Sequence, residues 1–229
     1  MVICGRGGTL GLALAVTLLL SRGTMAAPAE GQDPVLELDP AGTHIDFTVG
    51  GFPHSVHGTF ALKRGNIRFD PATGRADGLV VADAASGDSG NRSRDGEMRE
   101  SILEAQRYPE IRFVPQQVDG HVAAQGESRV KIRGVLSLHG AAHEVTLDMV
   151  VRLAGEELTA TGQLTVPYVE WGMRDPSIFI FRVSDKVELK LTATGHVTWP
   201  PASGAREGGA PGGRKPGDEF VRGNDGGKQ

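Results

Sequence analysis

Seven histidines are the first residues in this chain whose type invites chemistry, and their spacing narrows which chemistry. His54 and His57 lie three apart across a loop-to-strand junction, where alternation would point the two rings apart and away from a shared metal. His139 and His143 flank Gly140-Ala141-Ala142, which reads as a hairpin turn. They could converge, but a zinc site takes three or four ligands, and no cysteine or clear third ligand lies nearby. They are expected as turn residues on a solvated surface. His44, His121 and His196 stand alone, so no metal is expected.

Nucleophilic chemistry finds as little support. The single cysteine, Cys4, lies near the N-terminus, and there is no G-x-S-x-G elbow. Ser86, Ser89 and Ser93 fall in the polar loop SGDSGNRS. A triad assembled from distant residues is recognised by geometry rather than by spacing, so an enzyme stays open as an alternative at this point. Neither a P-loop nor a GxGxxG fingerprint occurs, and no cofactor is expected.

The elements that position any site begin after the N-terminus. Residues 1–29 read as a signal peptide: Arg6 supplies a positive start, Leu10 to Leu20 (LGLALAVTLLL) is an unbroken apolar run, and small residues follow at Ala26, Ala27 and Ala29. Eleven apolar residues fall short of the roughly 20 that span a bilayer, so no stable membrane insertion is expected once the signal is removed. The mature chain would then hold no cysteine, and a periplasmic or secreted location is expected. Residues 201–229 are rich in glycine, proline and charge and read as a disordered tail. Between them, residues 30–200 have the length of one domain. This stretch carries 17 Lys and Arg against 24 Asp and Glu, a net charge of −7, which disfavours nucleic acid as a partner.

Within the domain the dominant period is two, the mark of half-buried strands. Ile45, Phe47 and Val49 share one face; Val56, Gly58, Phe60 and Leu62 share another; Val130, Ile132, Gly134, Leu136 and Leu138 a third. The pattern recurs over residues 66–69, 79–82, 110–114, 145–153, 158–166 and 187–197, with hairpin-length turns such as Asp70-Pro71-Ala72-Thr73-Gly74 between them. One segment, Asp95 to Ala105, has helical spacing at Met98, Ile102 and Ala105. Asp95 is placed to cap it, and Tyr108-Pro109 closes it. Eight or nine antiparallel strands and one short helix fit a closed barrel or a β-sandwich, and period alone does not separate the two.

Several stretches together resemble the YceI-like family of polyisoprenoid-binding, lipocalin-like barrels. LDPAGTHIDFTVGGF is similar to that family's first strand pair, and HGTFALKRGNIRFDP carries its G-x-F followed by G-x-I-x-F-D-P. The most specific part is RSRDGEMRESILEAQRYPEIRF: an Arg-Asp pair (Arg94, Asp95), a short helix, then Tyr108, Pro109, Ile111 and Phe113. GVLSLHGAAHEVTL and YVEWGMRDPSIFIFRVSDKVELKL continue the likeness, which runs from about Leu38 to Val197. The chain departs from many relatives at Gly50-Gly51, where they carry a histidine or another polar residue.

The resemblance implies an all-β, antiparallel eight-stranded barrel holding a long apolar chain: an isoprenoid, a quinone or another long-chain lipid. It implies a carrier and no catalysis. Inward candidates for the tail are Ile45, Phe47, Val49, Phe60, Leu62, Phe113, Leu136 and Leu138, apolar as a lipid tunnel requires. An anionic head would be met by guanidinium forks, for which Arg94, Arg99, Arg174 and Arg182 are the candidates. Tyr168 and Trp171 are candidates to gate the opening, or else core aromatics. The alternatives are an enzyme acting on such a lipid, and a filled barrel that recognises a protein. Monomer or homodimer is left open.

Overall fold

The computed structural model describes residues 33–123, 125–177 and 182–199. The expected signal peptide and C-terminal tail lie outside them. Nine strands follow in order: β1 Val35–Leu38, β2 His44–Phe52, β3 Val56–Phe69, β4 Ala76–Asp83, β5 Glu110–Asp119, β6 Gly126–Leu138, β7 Ala141–Ala154, β8 Glu157–Val166 and β9 Arg182–Thr198. Every pairing among them is antiparallel, and the order β1-β3-β2-β9-β8-β7-β6-β5-β4 closes through a β3–β4 ladder.

Nine strands make eight barrel positions, because β1 and β2 share one. β1 bonds β3 at Leu38↔Gly65 and β9 at Leu38↔Gly195. β2 bonds the same two strands at His44↔Ala61 and His44↔Thr192. The loop that divides them is held by Asp39, whose carboxylate accepts from the backbone N–H groups of Ala41 (2.9 Å) and Gly42 (3.1 Å). Closure satisfies the strand edges that an open sheet would expose.

Two departures from strict alternation bend the wall. β3 slips register between Leu62 and Arg64, so its buried face changes from the even-numbered Phe60 and Leu62 to the odd-numbered Gly65, Ile67 and Phe69. β5 slips between Pro115 and Gln117, which is how a strand tolerates a buried proline in its middle.

The helical segment lies between β4 and β5 and begins earlier than the sequence suggests. A 3-10 turn, Ala84–Ser86, precedes α1, Arg92–Glu97, which widens into one π-type turn, Met98–Ile102. The N-cap is Asn91, whose side chain accepts from Arg94 N–H at 3.1 Å. Asp95 is inside the helix, and its carboxylate is used elsewhere. Among the described residues no helix is long and apolar enough to cross a membrane.

Inside, one apolar cluster unites Val118, Val130, Met149, Leu153, Leu158 and Val197. A second gathers Leu136, Leu138, Val166, Tyr168 and Met173 under Leu103, with Met98 and Ile102 of the helical segment packed on it. Ile45, Leu62 and Ala82 form a third.

Candidate ligand-binding lumen

Directly opposed residues of neighbouring strands share a face, so register identifies what lines the interior. Ile45 opposes Phe60 and Leu191, and Phe47 opposes Gly58 and Leu189. Phe113 opposes Leu136. The eight apolar tail candidates therefore all point inward, but they differ in burial. Ile45, Phe47, Leu62, Leu136 and Leu138 are buried, whereas Val49, Phe60 and Phe113 keep accessible surface. The Phe47 and Phe60 rings are tilted at 44° with centroids 5.3 Å apart. Gly58 makes room for Phe47, since a Cβ there would overlap that ring.

The π-type turn after α1 and the loop that follows β8 pack on Leu136, Leu138 and Val166 and form a cover over this part of the interior. Three of the four expected arginines sit in this cover. Arg94 donates from Nε to Ser89 Oγ (2.7 Å) and from its terminal nitrogen to the Ser89 carbonyl (2.9 Å). Arg99 reaches the Ala85 carbonyl at 3.4 Å, and Arg174 pairs with Glu97 at 2.9 Å. Arg182 is exposed on β9, opposite Phe52. Three of the four forks are thus engaged in pinning the cover, and the four do not converge.

Asp95 is the pin beneath it. It is buried, and it accepts from both the backbone N–H of Ser89 (2.9 Å) and the Ser89 hydroxyl. Those bonds, the hydroxyl's first, hold its carboxyl below the usual 3.8, against the opposing pull of desolvation. A folded-state pKa below the unfolded one favours folding above about pH 4, and the contribution fades as pH falls through the lower folded value. Asp95→Asn is therefore expected to melt below the wild type at neutral pH, with the gap closing as the pH is lowered below the ordinary carboxylate range. A gap that stays constant across this titration would mean that the carboxylate's charge is not what holds the loop.

Tyr168 and Trp171, the two aromatic gate candidates, have different roles. Tyr168 is only 6% exposed and donates its hydroxyl to the Ser184 carbonyl at 2.8 Å. Burial, with Asp175 and Asp185 adding to it, pushes its phenol up to about 12, so it remains a neutral donor tying the loop to β9. Trp171 is half-buried and stacks on His143, with ring centroids 3.8 Å apart and planes 3° from parallel.

That contact corrects the expectation for the two histidines of the β6–β7 hairpin. The turn is only His139-Gly140, both at positive φ (51° and 79°), so Leu138 opposes Ala141 and Leu136 opposes His143. Parity then turns His143 inward, beside Val145 and Leu147, and not out to solvent. His139 is also largely covered: its Nε2 lies 3.2 Å from Glu104 Oε1, and its ring centroid is 5.0 Å from that of Tyr108. Fixing the turn at two residues would have revealed the facing of His143 from sequence. Among the described residues, no three His, Cys, Asp or Glu side chains gather to hold a metal.

Closed strand order and an apolar interior together define a lipocalin-type antiparallel barrel. The family model of the YceI-like domain matches residues 36–195, and the chain belongs to that family. Among solved structures it is similar to a polyisoprenoid binding domain from Saccharophagus degradans implicated in plant cell wall breakdown. The TM-score is 0.59 at 18% identity, covering 71% of this chain and 98% of that one. It is also similar to BcnA from Burkholderia cenocepacia, with TM-score 0.56 at 21% identity, covering 69% of this chain and 98% of that one. At these identities the likeness is one of fold. No curated protein matches the chain.

Proposed function

We propose that this protein is an exported carrier that holds one long apolar chain, polyisoprenoid or quinone-like, inside the barrel and catalyses no reaction on it. The observation that carries the reading is a row on β9. Val187, Leu189, Leu191 and Ala193 face inward by register and are apolar throughout, and Leu191 and Ala193 are only half-buried although the β7–β8 ladder is intact beside them. A wall filled solely for stability would cover them, because protein interiors are close-packed. The polyisoprenoid-binding character of the Saccharophagus degradans neighbour supports the same reading.

The energetics suffice without chemistry. Each buried CH₂ contributes about 0.8 kcal/mol, so one five-carbon unit contributes about 4 kcal/mol before ordering costs. Native mass spectrometry of the protein recovered from its own host's envelope, followed by organic extraction, tests the proposal. A stoichiometric lipid of defined mass is the expected result. An empty protein that also takes up no added polyprenyl or quinone compound would overturn it and favour a filled barrel that binds a protein.

A further inference from the structure

The barrel wall has a gap. The β7–β8 ladder stops at Asp148↔Gln163. Yet β7 runs back to Ala141 against β6, and β8 runs on to Val166 against β9. Residues 141–147 of one strand and 164–166 of the other therefore have no ladder partner across this seam. Closed barrels normally satisfy these backbone groups with their neighbours. A cleft of about 430 Å³ occupies the seam, with Val145 and Thr146 on one wall, Leu164 and Thr165 on the other, and Trp171 also lining it.

Trp171 reaches this position from the loop after β8, and it stacks on inward-facing His143 of β7 while lining the cleft between the two strands. Under the indole, His143 Nε2 is fully covered and has no hydrogen-bond partner among the described residues. It is the one buried side-chain nitrogen or oxygen there left unmet. Leaving such an atom unpaired is costly, and ligand sites are where that cost is recovered.

We propose that the β7–β8 seam is a side portal into the lumen, that Trp171 is its plug, and that His143 Nε2 anchors the uncharged oxygen head, a hydroxyl or a carbonyl, of an amphiphile whose tail occupies the barrel. The proposal rests on the lipid-holding reading above and adds the head-group class and the route. A neutral imidazole accepts from a hydroxyl in one tautomer and donates to a carbonyl in the other. A phosphate head does not fit. The charged residues lining the cleft are Glu144 and Asp148, the latter paired with Lys131, and no arginine or lysine is among its described lining residues. Arg94, Arg99 and Arg174 are engaged in the cover.

The test compares radiolabelled geranylgeraniol, geranylgeranyl diphosphate, a benzoquinone with the same tail, and a headless hydrocarbon of equal length, on the full chain and on two variants. His143→Phe keeps the stack but removes the anchor. It is expected to weaken the alcohol and the quinone about tenfold and to leave the hydrocarbon unchanged. Trp171→Ala is expected to speed exchange of all bound probes with empty liposomes at least about tenfold, and Trp171→Leu gives the same comparison if the alanine variant does not fold. The wild type is expected to prefer the alcohol and the quinone over the diphosphate. Three results would overturn the portal while leaving the lipid reading intact: a diphosphate preference, equal losses for headed and headless probes in His143→Phe, or unchanged exchange in the Trp171 variants. No binding of any probe by the wild type would instead sink the lipid reading itself.

Discussion

A barrel carrying Leu191→Trp is expected to be recovered folded and empty of lipid. Leu191 sits on the inward face of the closing strand, opposite Ile45 on one side and Gly162 on the other, and retains accessible surface. The indole would project into the space that the apolar chain is proposed to fill. Occluding one five-carbon unit removes about 4 kcal/mol of gross transfer energy, equivalent to about a thousandfold in affinity. Overpacking a filled core costs typically 1–3 kcal/mol, and an unfilled lumen should need less. The measurement pairs a thermal melt of the lipid-free protein with lipid quantified after extraction. A variant that melts near the wild type but carries no lipid supports the lumen. One that retains lipid at unchanged stoichiometry would show that the chain lies elsewhere.

The second large effect is expected at Gly78, and it concerns the wall instead of the contents. Gly78 lies on β4 at φ 130°, where L side chains are rarely found, and opposes Ile67 across the ladder that closes the barrel. A Cβ at this position would overlap the Asn66 carbonyl and lie 2.9 Å from the Ile67 Cα, and neither is a flexible side-chain end that could move aside. Gly78→Val is therefore expected to cost about 3 kcal/mol or more, a large share of the 5–15 kcal/mol by which domains are stable. Urea denaturation reads it as a lowered midpoint at similar slope. A loss below about 1 kcal/mol would mean that β4 can leave the closing ladder without consequence.

Much of the wall was legible because one physical rule, alternation against a single apolar interior, writes itself into the sequence. It found every strand from β2 to β9, although it split β3 in two at the slip after Leu62 and ended β5 before Pro115. It missed β1, because the four residues Val35–Leu38 are too few to display a period. Closure itself is not periodic. It depends on β3 meeting β4 and on β2 meeting β9, and the family resemblance, not the spacing, pointed to it. The helix start was misplaced because Asn91 and Asp95 are both residues that cap helices, and only the fold shows that Asp95 serves Ser89 instead.

The candidate site was less legible for a related reason. Inward apolar residues follow from parity, so which residues share the inner face can be read from the alternation. The polar features depend on where pairing starts and stops. His143 was misread because a turn one residue longer would face it outward. The seam leaves no trace at all, since Val145, Leu147, Leu164 and Val166 alternate straight through the point where the ladder ends. Guanidinium chemistry alone makes the arginines candidates, but three of them are committed to the cover.

The division of one barrel position between β1 and β2 has a bearing on how the protein is born. Both strands bond β9 on one side, and β9 bonds β8 on the other, so the last of the described strands is the stave on which closure waits. A nascent chain that ends before Arg182 has open edges and no enclosed interior, however well its hairpins have formed. Val35 meets Thr198 across almost the whole length of the domain, and contacts so distant in sequence form slowly. The proposed cargo can therefore be enclosed only once β9 has been made, and until then the apolar face of the half-made barrel stays uncovered.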